Sequence, residues 1–364
     1  MKNHGERDLR GTLFVYNVWY CAAWSEEVSD QLLGRKILNE PILIFRDRGG
    51  IARAIRDFCP HKLAPLSLGR HLGDRVECPY HGLQFDGSGR CVHNPHGNGV
   101  TPRSADIRAF PLVERDTILW IWMGVPALAD PVKIPDCSYI TSTKRRTVKN
   151  LFEVAGNYRL SIDNLMDLGH VFFVHRNTAR ASTRKMHVEV TEQNNSVWDR
   201  RFSSGTTGLQ FFANALGDGD GLYDNWLDIN WCPVGILRNH SGSSRLGCGR
   251  NTAESNQVDF ADQMGTHLLT PVTDTRSLYF CANSRNYALD DRDVDEIWRT
   301  WQKTALNGED SALVSAIQAG VPDAERLGLR PMPFLSTDAS GIRVARIIDR
   351  LLAAEAQGEC EAHP

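Results

Sequence analysis

Two runs of metal-binding side chains stand out in the 364-residue chain. The first is Cys59-Pro-His61, followed after sixteen residues by Cys78-Pro-Tyr-His81. Thiolates are soft anionic ligands for iron and imidazoles are neutral ones. A two-iron, two-sulfide cluster with both Cys on one iron and both His on the other uses this set, and the neutral imidazoles raise its reduction potential. Tetrahedral zinc is the competing chemistry. Zinc fingers, however, group Cys with Cys and His with His, whereas each pair here is mixed. Pro60 and Pro79 stiffen both loops, and Gly82 follows the last ligand.

The second run is Ser161 to His175, SIDNLMDLGHVFFVH. Asn164, Asp167 and His170 recur at i, i+3 and i+6, along one helical face. His175 falls off that face, so the spacing predicts a helix that bends or ends between the two His. Gly169 and the bulky run Val171 to Val174 permit this. Two imidazoles plus one carboxylate, with open positions left over, form the ligand set of non-haem Fe(II) oxygenases. A weaker run, Cys91-Val-His93 with His96 nearby, makes a second site conceivable. Its simpler reading is alternation on a strand leaving a hairpin.

The stretch from Cys59 to Pro95 resembles the Rieske domain of the ring-hydroxylating and demethylating oxygenases, most closely the vanillate and dicamba O-demethylase branch. The resemblance extends over nearly the whole chain. It implies that Cys59, His61, Cys78 and His81 hold a [2Fe-2S] cluster. It also implies that His170 and His175, in an N-x-x-D-x-x-H-x-x-x-x-H signature, bind a mononuclear iron. The third ligand is expected in WRTWQKTALNGEDSALVSAIQ, where the match falls on Asp310, with Glu309 as its competitor. Asp167 would act as a catalytic bridge, joining His170 to His81 of the partner subunit. His267, in Gly-Thr-His, and Trp301, nine residues before Asp310, would line the substrate pocket and, with Asn164, orient an aromatic acid.

The resemblance implies an α+β chain: an N-terminal all-β domain, then a catalytic domain of helix-grip type, an antiparallel sheet flanked by helices. The implied activity is that of a terminal oxygenase, an O2-dependent monooxygenation (O-demethylation or hydroxylation) of a small aromatic substrate. Cis-dihydroxylation of an aromatic ring is the alternative. A non-catalytic Rieske electron-transfer protein is a further one, but it would have no use for His170, His175 and Asp310. The sequence has neither a G-x-G-x-x-G loop after a strand nor the plant-type ferredoxin Cys spacing. Electrons from NAD(P)H are therefore expected through a separate reductase, with or without a ferredoxin. The resemblance also implies a homotrimer, since the family forms trimers in which a cross-subunit electron path runs round a closed ring.

The elements that must position these residues are partly legible. TLFVYNVWY (12–20) reads as a first strand, and WSEEV (24–28) as a short helical turn capped by Ser25. Short strands follow, with hairpins at Gly49-Gly50 and Asp86-Gly87, and the run ending in ILWIWMG is buried on both faces. Such punctuation suggests a small β domain over 1–124. GVPALADPVKIPD, with three prolines, predicts a linker at 125–137. A second domain over 138–364 holds a strand to Val154, a turn at Gly156-Asn157 and the His-bearing helix. KMHVEVTEQ, SVWDRRFSS, GTHLLTPVT and SLYFCANSRN read as strands, with NWLDINWCPVGILRN as another. Helices are expected over 290–307, over DSALVSAIQAG and in the amphipathic tail.

Composition narrows the class further. A formal charge of −3 offers no basic field for nucleic acid. No apolar run is long enough to span a bilayer, and the N-terminus lacks the apolar core of a secretory signal. Nine scattered Cys, an odd number, argue against a disulfide framework and for a reducing cytoplasm.

Overall fold

The chain alternates short β-branched and aromatic runs with Gly, Pro and Asn turns, and the computed structural model resolves these into antiparallel sheets. It describes residues 13–176, 178, 186–217, 219, 221–251, 257–329 and 333–358. The N-terminal tip through Thr12, Lys185 and Cys360 lie outside the described residues. Two compact units emerge.

The first unit comprises residues up to Pro135 together with 270–274 and the C-terminal stretch from Ala354. Its three small sheets hold Trp19–Trp24 with Ile118–Trp122 and Leu112–Arg115, then Leu33–Ile37 through Ala52–Arg56, and Arg70–His71 through Cys91–His93. Every residue of Ile118–Trp122 is buried, as its unbroken apolar run requires. The first strand begins at Trp19, later than the apolar run suggests. The N–H groups of Tyr16 and Asn17 are spent instead on the Glu355 carboxylate, at 2.8 and 2.6 Å.

The proline-rich stretch after Gly124 belongs to this unit as far as Pro135 and is not a free linker. Asp130 O accepts from Trp19 Nε1 at 2.8 Å, and Pro135 O accepts from Arg115 at 3.0 Å. Residues 270–274 join the unit because Pro271 and Val272 carbonyls accept from Leu38 and Asn39 N–H. The 24–28 turn is a 3-10 turn over Ser25–Glu27, with Trp24 rather than Ser25 at its cap position.

The second unit is built on a seven-stranded antiparallel sheet. Its order is Arg146–Val154, Arg276–Arg285, Phe260–Thr273, Ile236–Arg245, Leu222–Cys232, Ser196–Thr207 and His187–Gln193. The last six form a meander, and the first strand closes onto the end of it. NWLDINWCPVGILRN is two strands of a hairpin, not one. The helices are Tyr158–Met166, Gln210–Ala215, a continuous helical run from Arg292 to Arg326, and Ala339–Ala356. The run from Arg292 widens into a π-helical stretch at Gln302–Ser311, so the break expected near Asn307 is a change of pitch and not an end. The α+β reading holds. Among the described residues no helix is long and apolar enough to cross a membrane.

Candidate metal centres and cavity

Cys59 and Cys78 open two loops of the same construction. Leu63 N–H donates to Cys59 O, and Gly82 N–H to Cys78 O; Cys59 and Cys78 N–H in turn donate to Ala64 O and Leu83 O. Each loop turns through the left-handed region four residues after its Cys, at Leu63 (φ 58°) and Gly82 (φ 71°). The second position has the residue that suits this conformation; the first does not, so spacing alone could not reveal the symmetry. Both thiols are buried and in no disulfide. Burial pushes the Cys59 thiol up to about 11. His61 is exposed and His81 half-buried, their ring centroids 4.6 Å apart.

The two Cys thus lie inward and the two His outward. Among the described residues, only His170, His175 and Asp310 bring three ligand atoms within 4.8 Å of one another. The Cys and His of the first set lack this single-ion convergence. That spread disfavours zinc and fits a two-iron group whose irons take the thiolates and the imidazoles separately. Cys91 and His93 enter no such group either. His96 Nε2 lies 2.8 Å from the backbone oxygen of His81.

In the second unit the helix Tyr158–Met166 ends before the His pair, with Asp167 at its C-cap and a 3-10 turn at His170–Phe172. It therefore ends earlier than the face reading predicts. His170 Nε2 and His175 Nε2 are 3.3 Å apart. Asp310 Oδ1 lies 3.4 Å from His170 Nε2 and Oδ2 lies 3.2 Å from His175 Nε2. Asp310 Oδ2 is nonetheless a buried atom with no hydrogen-bond partner. Burial alone would raise the Asp310 carboxyl; His170 and His175 overcome it and hold it at about 2. Burial likewise lowers His175, but Asp310 and Glu309 outweigh it and raise it. An orphaned carboxylate oxygen beside two imidazoles, in a place that draws positive charge, fits a divalent iron.

Both His are held from behind. His175 Nδ1 donates to Glu309 Oε2 at 2.7 Å, and Thr178 Oγ1 donates to Glu309 Oε1 at 2.6 Å. Glu309 therefore faces the far side of the ring and does not converge with Asp310. His170 Nδ1 lies 2.5 Å from the backbone oxygen of Asp167. The Asp167 carboxylate is not on His170; its Oδ1 accepts from Gly169 N–H at 2.9 Å. Asn164 Nδ2 lies 3.4 Å from Asp310 Oδ1, behind the residues that line the cavity.

The cavity holds about 1050 Å³ of space, open mouth included. His170, His175 and Asp310 lie on its wall, as do His267 and Trp301, and most of the remainder is apolar. Burial pushes His267 down to about 4, so it is neutral at ordinary pH. Its Nε2–H donates to Asn239 Oδ1 at 3.0 Å, which leaves Nδ1 to accept from the Tyr279 hydroxyl at 2.6 Å. Asn239 pairs in register with Gly265, two positions from His267. A Cβ on Gly265 would sit 1.6 Å from Asn239 Oδ1, so the glycine of Gly-Thr-His makes room for this side chain. Sequence reading missed Asn239, Thr178 and the orienting place of Glu309. Only strand pairing or the distant helix brings them in, and no local pattern announces that.

Comparison with known proteins agrees with this architecture. Residues 18–111 match the Rieske [2Fe-2S] domain family, and 154–354 match the vanillate O-demethylase oxygenase C-terminal domain. The dicamba O-demethylase oxygenase component of Stenotrophomonas maltophilia is 41% identical over 344 residues, covering 94% of this chain and 99% of that protein. The iron-sulfur subunit of a toluene-4-sulfonate monooxygenase system from Comamonas testosteroni is 35% identical over 364 residues, covering 95% and 99%. The crystal structure of dicamba monooxygenase bound to 3,6-dichlorosalicylic acid superposes with a TM-score of 0.89 at 41% identity, covering 94% and 99%. The chain is thus an oxidoreductase, with a [2Fe-2S] cluster and a mononuclear iron as cofactors and O2 as co-substrate. It is an oxygenase component, working in a multicomponent system that supplies its electrons, and not an electron carrier alone. It belongs to the Rieske non-haem iron oxygenases, in the branch of the dicamba and vanillate O-demethylase oxygenase components.

Proposed function

We propose that this chain monooxygenates a small aromatic acid, removing a methyl group from a ring methoxy substituent as formaldehyde. Cys59 and Cys78 would hold one iron of the cluster and His61 and His81 the other. His170, His175 and Asp310 would hold the mononuclear iron, with O2 activation as the chemistry it supplies. The observation that carries the reading is the shared wall. One cavity has the three iron-ligand candidates on it together with an apolar lining and a few convergent donors.

Those donors suit a carboxylate. Asn239 spends its Oδ1 on His267, and its amide nitrogen has no partner among the described residues. Trp301 Nε1 is a buried N–H without a partner. Neutral donors in an apolar setting hold an anion strongly while leaving the ring to pack on the hydrophobic wall. The walls also exclude water from the reacting carbon. Relatives point the same way: one is named for toluene-4-sulfonate, an anionic aromatic, and one structure holds 3,6-dichlorosalicylic acid.

Asp167 would couple the two centres across subunits. Its Oδ1 is taken by Gly169 N–H, and the second carboxylate oxygen has no partner among the described residues. On this reading that oxygen accepts from His81 of the partner subunit, while the Asp167 carbonyl fixes His170. On this reading the assembly is a homotrimer, in which heterologous contacts of this kind close a three-fold ring. The electron donor would be a separate NAD(P)H-dependent reductase, directly or through a ferredoxin, in the cytoplasm.

The test is O2 uptake by the iron-loaded protein with a surrogate reductase and NADH over methoxybenzoates, with formaldehyde assayed alongside. Formaldehyde in step with O2 is expected. Hydroxylated product without formaldehyde would move the reading to a hydroxylase.

A further inference from the structure

Behind the cavity wall runs a line of buried carboxamides with a fixed direction. Gln302, at the start of the π-helical stretch, is fully buried, and Asn283, Gln263 and Ser241 are nearly so. Gln302 Nε2 donates to the backbone oxygen of Val148 at 3.2 Å and to Asn283 Oδ1 at 2.6 Å. A backbone carbonyl can only accept. The Gln302 atom facing Val148 is therefore nitrogen, and its oxygen faces Asn150 Nδ2, at 2.6 Å. Asn283 must then present oxygen to Gln302 and nitrogen to Gln263 Oε1, at 2.8 Å. Gln263 is left to donate through Nε2 to Ser241 Oγ, at 2.9 Å. One carbonyl thus sets the orientation of every amide in the line.

The line ends at the cavity, where Ser241 and Gln263 stand opposite each other on paired strands. Ser241 Oγ is already an acceptor, so its own proton is left to donate; the second N–H of the Asn283 and Gln263 amides is likewise unspent among the described residues. The Ser241 proton meets no acceptor among the described residues. Ser241 lies two residues along the same strand from Asn239, on the same face, or about 7 Å away. That backbone spacing is close to the distance between meta or para substituents of one ring.

We propose that Ser241 is a specificity-determining residue, held as a hydrogen-bond donor toward the cavity by the Gln302–Asn283–Gln263 line. The preferred substrate carries an acceptor oxygen (alkoxy, phenolate or carbonyl) meta or para to its carboxylate. This rests on the aromatic-acid reading of the cavity. A buried donor left unpaired penalises a ligand that offers only a methylene at that place.

Methoxy and ethyl groups differ by one oxygen for one methylene and have nearly the same shape. Equilibrium binding to the cluster- and iron-loaded protein, by calorimetry without reductant, therefore isolates the effect. The probes are benzoate and the 3- and 4-methoxy and 3- and 4-ethyl benzoates. The parent should bind the methoxy member about tenfold more tightly than the ethyl member in at least one of the two pairs. Ser241→Ala should bring that ratio to about one, and Ser241→Thr, which keeps the hydroxyl, should restore it. A parent that binds benzoate yet shows no methoxy preference overturns the proposal and leaves the aromatic-acid reading standing. So does a preference that survives in Ser241→Ala. Failure of benzoate and all four probes to bind contradicts the aromatic-acid reading, and the proposal with it.

Discussion

His175 donates its Nδ1–H to Glu309 at 2.7 Å, and this bond settles which face of the ring is left for a metal. With Nδ1 protonated, the Nε2 lone pair points at Asp310, the neighbour of Glu309 in sequence. Two adjacent carboxylates thus serve opposite sides of one imidazole. Both come from the π-helical stretch Gln302–Ser311, a local widening of the helix of the kind frequent at functional sites.

Glu309→Gln keeps an acceptor but loses the charge, and Glu309→Ala loses both. Partners of this kind are worth about 10–100-fold in metal affinity. Titration of the mononuclear site with Co(II), read by its absorption bands, should give the lower end of that loss for Gln and the upper end for Ala. Unchanged affinity in both variants would remove Glu309 from the site.

Gly265→Ala should push Asn239 aside, because the new Cβ falls 1.6 Å from its Oδ1. His267 then loses the acceptor for its Nε2–H. Benzoate affinity should drop about tenfold. Calorimetric binding to the loaded protein checks this.

Asp167→Asn retains the backbone carbonyl that His170 uses and the side-chain oxygen that caps Gly169. On the proposed bridging role, metal content should match the parent while turnover nearly vanishes, because the carboxylate charge that would couple the two centres is gone. Turnover close to the parent value would rule out the bridging role.

The acid limb of stability has its own test in Asp262, which is fully buried. Burial raises its carboxyl, but His240 and Arg145, the latter at 2.8 Å, overcome this and hold it below the ordinary value. A carboxyl lowered in the folded state stabilises above its unfolded value, about 3.9, and that contribution fades as pH falls through the folded value. The Tm gap between the parent and Asp262→Asn should shrink as pH falls below about 4.

How much of this the sequence carries depends on distance along the chain. Cys59 to His81 lie within one local run, and the mixed pairs name their chemistry unaided. His170 and His175 are legible as a pair for the same reason. Asp310 is 135 residues beyond His175, and only resemblance to a family connects them. Asp167 marks a different limit. Its place in the motif suggests a carboxylate on His170, yet the helix ends at Met166, and the backbone carbonyl of this capping residue reaches the ring first. Asn239 and Ser241 owe their place to strand register, which a hairpin read as a single strand conceals. Likewise, Glu355 satisfies the N–H groups of Tyr16 and Asn17 from the far end of the chain, so the first strand starts later than its apolar pattern suggests.

The central claim is that two separate iron centres rest on these two sets of residues. Iron per chain, measured with the visible spectrum of the cluster in the parent and in Asp310→Ala, tests it most directly. The parent should hold three irons, and Asp310→Ala should hold two with the cluster spectrum intact. Three irons in the variant, or loss of the cluster spectrum with the third iron, would contradict the account.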